Sequence, residues 1–253
     1  MTISSYTGDD QESPDGAGPV DIIMSTYIDD PEYSDDLLCA TLINFMIAGR
    51  DTIGTALVWL FYNLAQNPDV VACIREELLP IASRKATAAT NMVTFQPHEM
   101  KPLVYLHATL YESLRLFPPI PIERKTVVAD DVLPSGHTVC AGDTVLVSFY
   151  SMGRMEGVWG AHCMEYKPER WLSLGNKGDE LRYVPSHKFL AFNSRPRMCL
   201  GKDIAIMQMK TVVAAIVWNF DVEVLKGNSV QPKFSCILQM KNGLMVRVKK
   251  RKI

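Results

Sequence analysis

The sequence predicts a mainly α-helical protein with small antiparallel β-sheets, on three observations. Two long apolar runs, Leu37–Ala65 and Gly201–Phe220, read as helices rather than strands. A third run, Leu103–Leu116, stops at Pro118-Pro119, as a helix does. One stretch, Thr126–Ser148, alternates short β-branched runs with the turn pairs Ser135-Gly136 and Gly142-Asp143, the pattern of a small antiparallel sheet. No internal repeat is present.

In chain order, residues 1–33 are rich in Asp, Gly, Ser and Pro and read as an acidic loop or disordered leader. Ser34 is positioned to cap the first helix, whose first turn carries Asp35 and Asp36, favourable at the positive end of a helix dipole. That helix runs to Ala65, where Asn67-Pro68 ends it, and at ~1.5 Å per residue it would be roughly 50 Å long. It is apolar on nearly all sides, as a central helix is. Pro68-Asp69 opens a second helix through Leu79, and Ser83–Thr94 reads as a loop. From Phe149 to about Arg197 the chain reads as irregular, and a stretch that long points to a functional segment. Near the C-terminus, Lys241-Asn242-Gly243 is expected to join two strands into a hairpin.

Composition narrows the class. The chain has 253 residues, 47% of them hydrophobic, enough to bury one sizeable core. Its formal net charge of −2 sets up no global field for nucleic acid or an anionic membrane. Charge is segregated at the ends: residues 1–36 hold ten Asp and Glu and no Lys or Arg, while Lys249, Lys250, Arg251 and Lys252 lie near the C-terminus; both read as solvated tails. The cysteines at 39, 73, 140, 163, 199 and 236 include no CxxC pair, so neither a zinc site nor a disulfide framework is indicated and a reducing compartment is expected. The uncharged runs Leu37–Gly49 and Thr52–Pro68, split by Arg50 and Asp51, each fall short of the ~18–20 residues of a bilayer core, so no transmembrane anchor is expected in this chain.

Three segments carry chemistry. In Phe192-Asn193-Ser194-Arg195-Pro196-Arg197-Met198-Cys199-Leu200-Gly201, the cysteine stands immediately before a helix start, where orphan N–H groups favour a thiolate. Arg197 adds a positive charge, Gly201 permits close backbone approach, and a thiolate so placed suits haem iron as a soft axial ligand. The plainer account of a cysteine before a helix is a small buried hydrophobe. In Tyr111-Glu112-Ser113-Leu114-Arg115, the Glu–Arg spacing by itself describes an ordinary helix-surface pair. Pro168-Glu169-Arg170-Trp171 follows some fifty residues later. Third, Ala48-Gly49-Arg50-Asp51-Thr52 puts poor helix formers in mid-helix, and a Thr bending the helix by back-bonding is the plain account of it.

In that order the segments resemble the cytochrome P-450 family, with its A-G-x-D/E-T motif, E-x-x-R motif and cysteine loop F-x-x-G-x-R-x-C-x-G. The resemblance runs from about Ser34 to Ile253 and implies the C-terminal portion of that fold: distal helix, ExxR helix, cysteine loop and proximal helix. Residues 34–253 would be a partial domain whose N-terminal half is absent. Cys199 would be the proximal thiolate and iron ligand, Phe192 would pack beside the sulfur, Arg197 would pair with a haem propionate, and Gly201 would open the helix under the haem. Glu112, Arg115 and Arg170 would form a buried structural triad. Thr52 would hydrogen-bond at the oxygen site beside an opening at Gly49, and Asp51 would relay protons. The family's glycine falls on Arg195, where a side chain in place of a positive-φ or close-packed Gly is expected to cost of order 1–3 kcal/mol and weaken haem retention.

Val132-Leu133-Pro134-Ser135-Gly136-His137, Tyr150-Ser151-Met152-Gly153-Arg154-Met155 and Cys199-Leu200-Gly201-Lys202 further resemble the plant fatty-acid and alkane hydroxylases. The implied reaction is hydroxylation of a long-chain apolar substrate with O2, using electrons from NADPH through a reductase at the cytosolic face of the endoplasmic reticulum membrane. Ile47, Ala48, Ile122 and Leu238 are candidate substrate contacts, with plain core packing as the alternative for each. A truncated, non-catalytic fragment of such an enzyme is the alternative function, in which apolar helix faces stand exposed and the isolated chain folds poorly. A helical scaffold protein explains the apolar helices but not the order of the three motifs.

Overall fold

The computed structural model describes residues 34–85, 92–175, 178–233 and 235–251. The expected acidic leader, 1–33, and part of the expected loop after the second helix lie outside the described residues. The chain forms two compact units, Met1–Ala48 and Gly49–Ile253, which divide at a point inside the first helix.

Helix α1 is Asp35–Gln66. Ser34 Oγ accepts the amide of Leu37 at 3.3 Å, and the carboxylates of Asp35 and Asp36 sit in the first turn. The two apolar runs either side of Arg50 and Asp51 are thus one helix. By length and composition alone it is long and apolar enough to cross a membrane, and none of its most apolar window is buried. This corrects the expectation drawn from the two runs taken separately: a helix carries its apolar surface through a pair of charges. In the first unit Ile43, Phe45, Met46 and Ile47 are exposed. In the second, the helix turns one stripe inward, with Ala56, Leu60 and Leu64 buried at four-residue spacing beside Trp59 and Asn63.

Helix α2 is Pro68–Lys85, starting with Pro at a position where a missing N–H costs nothing. It runs past Pro80, beyond the expected end at Leu79, because Ile81 and Ala82 are buried and Lys85 is tied to Thr94 O and the Glu99 carboxylate. Tertiary packing here outweighs the missing backbone bond. A 3₁₀ turn, Pro97–Met100, leads to α3, Val104–Leu116. Its first turn is capped from a neighbour: the Glu77 carboxylate of α2 accepts the amides of Tyr105 and Leu106 at 2.7 and 2.9 Å.

The expected small sheet is two antiparallel pairs. Strand β1 (Ile122–Thr126) pairs with β4 (Thr144–Ser148), and β2 (Asp131–Val132) with β3 (Thr138–Val139). Gly136 and Gly142 take φ of 84° and 91° in the turns, a region that other residues enter at a cost. The stretch read as irregular contains short helices α4 (Phe149–Met152) and α5 (Glu156–Trp159), a 3₁₀ turn (Pro168–Trp171) and a hairpin of β5 (Leu172–Gly175) with β6 (Gly178–Leu181).

Helix α6, Lys202–Asn219, begins after Gly201 and buries Ile206, Met209, Val213, Ala214, Val217 and Trp218. With the inward stripe of α1 and the buried faces of α2 and α3 it forms the main core, where Ile74, Leu78, Met100, Leu106 and Leu110 are almost wholly enclosed. Strand β7 (Phe220–Val224) pairs with β10 (Val246–Lys250), and β8 (Pro232–Lys233) with β9 (Gln239–Met240). The hairpin expected at Lys241-Asn242-Gly243 is therefore not a hairpin. The turn exists, with Gly243 at φ 68°, but its flanking strands pair with different partners. A turn signal shows that the chain reverses, not what it pairs with, and Met240 is drawn instead into a second cluster with Trp59 and Leu238.

Two buried ionisable groups on α3 and α6 tune this core. Burial, then the nearby Lys210 and Lys202, pushes the His107 imidazole down to about 4, and its Nε2 has no hydrogen-bond partner. Burial also pushes Lys210 down to about 8, partly offset by Glu77. Between pH 6.5 and about 4 the unfolded chain protonates His107 and the folded chain does not, so stability is full above this window and falls as pH drops through it. Urea melts from pH 7 to pH 4 are expected to lose about 2–3 kcal/mol on this account. His107→Leu should flatten that part of the profile, and an unchanged slope would show that His107 is not its source.

Candidate functional site

The structure joins the three residues of the expected triad into one hub. Glu112 and Arg115, three apart on α3, have fully buried side chains. Arg115 Nε donates to Glu112 Oε2 at 2.8 Å and Nη2 to Oε1 at 2.7 Å, a two-pronged pair. Its remaining donors go to backbone: Nη1 to Gly153 O and to Cys163 O (2.6 Å), Nη2 to Glu165 O (3.0 Å). Arg170 donates Nε to Glu112 Oε1 at 3.3 Å, and its other nitrogens to Trp159 O and His162 O. Glu112 also accepts the Lys167 amide and Trp171 Nε1, both at 2.9 Å. A buried ion pair is tolerable only when its remaining donors and acceptors are satisfied, and here they are. Beside it Tyr166, its phenol pushed well above its usual range by burial and then by Glu112, donates to Thr109 O at 2.9 Å.

Two members of this hub escaped the sequence reading. Trp171 is the final residue of the Pro168-Glu169-Arg170-Trp171 segment, and its indole N–H was a visible signal for a buried acceptor. Gly153 was visible only as one residue of a longer likeness. A Cβ placed there would stand 2.0 Å from Arg115 O, so backbone passes backbone at this point and only glycine fits.

From the hub, aromatic rings lead to the cysteine loop. Trp171 meets Tyr111 and Phe189 edge-on, with centroids 5.2 and 4.7 Å apart, and Phe192 lies 6.4 Å from Tyr111 and 6.3 Å from Phe189. The carbonyl of Phe192 accepts the amide of Cys199 at 2.8 Å, closing the loop on itself. Within it Asn193 takes φ 59°, stabilised as Asn often is there: its Oδ1 accepts the Ser194 amide and its Nδ2 donates to the Glu123 carboxylate. The left-handed residue of the loop is thus Asn193 and not Arg195. The expected strain at Arg195 is corrected: its backbone is not in the region that favours glycine, and its side chain is exposed.

Cys199 is exposed and stands just ahead of Gly201, the residue that opens α6. Arg197 is exposed as well, and Phe192 is half-buried against the main core. A Cβ built on Gly201 would meet nothing within 4 Å. An accessible soft donor, an exposed guanidinium for a carboxylate and open space at Gly201 fit the haem that the family pattern implies.

On α1, Asp51 lies 3.9 Å from Arg50 and is 52% exposed, an ion pair of little energetic weight. The largely dry surroundings expected for a proton relay are not formed by the described residues. Thr52 is half-buried, next to Ile53 on the main core, and Gly49 has open space where a Cβ would be. Among the candidate substrate contacts, Ile47, Ala48 and Ile122 are exposed. Leu238 is corrected to core: it is wholly buried, its carbonyl accepts Trp59 Nε1 at 2.7 Å, and its amide bonds Pro119 O.

A closed loop presenting one thiol at a helix start, braced by a saturated carboxylate–guanidinium hub, is the layout that the resemblance to the cytochrome P-450 family implies. Comparison with known sequences is in keeping with that layout. The family model described as Cytochrome P-450 matches residues 4–248, and the chain belongs to that family. It is 42% identical over 233 residues to noroxomaritidine synthase 2 of Narcissus pseudonarcissus, covering 91% of this chain and 45% of the relative. It is 43% identical over 226 residues to cytochrome P-450 86B1 and 42% over 217 residues to alkane hydroxylase MAH1, both of Arabidopsis thaliana. Those matches cover 87% and 86% of this chain, and 40% of each relative. The chain therefore spans less than half the length of these curated relatives.

Gly153→Ala is expected to destabilise the protein by more than about 3 kcal/mol in chemical denaturation, since neither backbone can yield 1 Å cheaply. Glu112→Ala, which strands two guanidinium groups, should cost about 3–5 kcal/mol by the same measurement. A loss under ~1 kcal/mol for either would contradict the packing described.

Proposed function

We propose that this protein is a haem-thiolate monooxygenase that hydroxylates a long-chain apolar substrate, an alkane or fatty acid, with O2 and electrons delivered from NADPH by a reductase. The observation that carries the reading is Cys199: an exposed thiol on a loop closed by its own amide, at the start of α6 and joined by rings to the buried Glu112–Arg115–Arg170 hub. The substrate class is supported by the likeness to alkane hydroxylase MAH1; the likeness to noroxomaritidine synthase 2 is of the same degree. By family, the cytosolic face of the endoplasmic reticulum membrane is its proposed location.

When bound, the haem supplies activation of dioxygen and insertion of one oxygen atom into an apolar C–H bond. The chain's residues hold and tune it. Cys199 would give its thiolate to the iron, as the soft anionic ligand this chemistry calls for. Phe192 keeps the Cys199 amide engaged, so the sulfur stands at one position relative to α6. Arg197 offers its guanidinium to a carboxylate of the group. On α1, the Thr52 hydroxyl would donate a hydrogen bond toward the oxygen site, and the Asp51 carboxylate would hold and pass a proton there. Ile47 and Ala48 remain candidate substrate contacts by sequence alone, and Ile122 is an exposed apolar one.

In the protein expressed from its complete gene, the reduced CO complex should show the red-shifted band of thiolate ligation, and Cys199→Ala should abolish it. A band that survives this change, or its absence from the wild type, refutes the assignment. Thr52→Ala should leave the band intact and lower substrate hydroxylation by about 10²-fold or more, with reducing equivalents still consumed. Full coupled turnover in that variant would remove Thr52 from the chemistry.

A further inference from the structure

Lys202, the first residue of α6, is not used by the mechanism above. A cation at a helix N-terminus faces the positive end of the dipole, so something must hold it there. Two rings do: Lys202 Nζ lies 5.7 Å from the centroid of Phe192 and 5.9 Å from that of Tyr111. Asp203 follows it in the same first turn, and the side chain of Lys202 is half-buried. The Phe192 it touches carries the carbonyl that binds the Cys199 amide, and the Tyr111 it touches precedes Glu112 of the hub. His107 also meets the Tyr111 ring edge-on at 4.4 Å and is kept neutral near pH 7, so it brings no second cation to the cluster. Lys210, farther along α6, acts on His107 and is itself paired electrostatically with Glu77.

We propose that Lys202 is a positioning residue for the Cys199 sulfur: its ammonium, seated on the rings of Phe192 and Tyr111, clamps the cysteine loop shut against α3. The clamp deepens the haem-thiolate reading and rests on it for its catalytic meaning, although its geometry stands without the haem. Without the charge, the Phe192 ring keeps its packing on Tyr111 and Phe189 but loses the ammonium that ties it to α6, and its carbonyl releases the Cys199 amide more often. The sulfur then samples positions from which thiolate ligation is lost.

Lys202→Met keeps an apolar stem and removes the charge, and Lys202→Arg keeps a cation that stacks well on rings. Two readouts are taken on the protein expressed from its complete gene. One is hydrogen exchange at the Cys199 amide, measured without haem. The other is the rate at which the reduced CO complex loses its thiolate-type band on mild warming. Lys202→Met should accelerate both about five- to tenfold, and Lys202→Arg should stay within about twofold of the wild type. Unchanged exchange and unchanged band loss in Lys202→Met overturn the clamp, as does an arginine variant no better than methionine. If the wild type shows no thiolate band, the haem reading fails on its own and the exchange rate alone decides the clamp. Should Lys202→Met fail to fold, Phe192→Leu removes one ring contact and is expected to speed exchange at Cys199 about threefold; no acceleration there counts against the clamp.

Discussion

The fold turns on one buried charge pair. Glu112 and Arg115 lie on α3 with no exposed side-chain surface, and taking two such charges out of water costs several kcal/mol each. That cost is offset because every donor of Arg115 is used and the carboxylate is saturated from several directions at once. The partners come from a segment that has little regular structure of its own. With the pair in place, Arg115 on α3 holds the carbonyls at 153, 163 and 165, and Arg170, itself bonded to Glu112, holds the one at 159.

Position is then transmitted outward. Trp171 is held by its indole N–H to Glu112 and presents its rings to Phe189 and Tyr111, which present theirs to Phe192. Phe192 is the acceptor for Cys199. A sulfur on an exposed loop thereby inherits its place from a charge pair in the interior, through contacts that are individually modest, each aromatic pair being worth about 0.5–1.5 kcal/mol. α6 completes the frame from the other side, since the same helix that begins beside the thiol buries Met209, Val213 and Val217 in the main core.

Much of this was legible in the residues. Helix starts at Ser34 and Pro68, the stop before Pro118, and strands β2 to β4 within Thr126–Ser148 follow from local rules of capping, ring sterics and alternation, whereas β1, Ile122–Thr126, lies ahead of the stretch so read. The hub could be anticipated only through the spacing and order of Glu112, Arg115 and Arg170, because its energetics depend on burial, which a Glu–Arg pair on a helix does not announce. What stayed hidden was long-range choice. Gly243 signals a turn but not that β10 would leave β9 for β7, and Pro80 signals a stop that the burial of Ile81 and Ala82 overrides. In the cysteine loop, the family pattern directed attention to Arg195, while the backbone placed its left-handed residue at Asn193, where a side chain able to bond both Ser194 and Glu123 stabilises the conformation. Leu238, a candidate substrate contact by sequence, is core instead, buried with its carbonyl bound by Trp59.

Arg115 and Arg170 hold the segment that follows β4 almost entirely by main-chain oxygens. Such a grip is indifferent to what the held residues carry outward. Apart from Gly153, whose backbone is pressed against α3, the side chains at 155, 156, 161, 162 and 164 are free to drift over evolutionary time without loosening the scaffold beneath them. An exposed surface above the hub can in this way be rewritten for new associates while the sulfur's mounting stays unaltered.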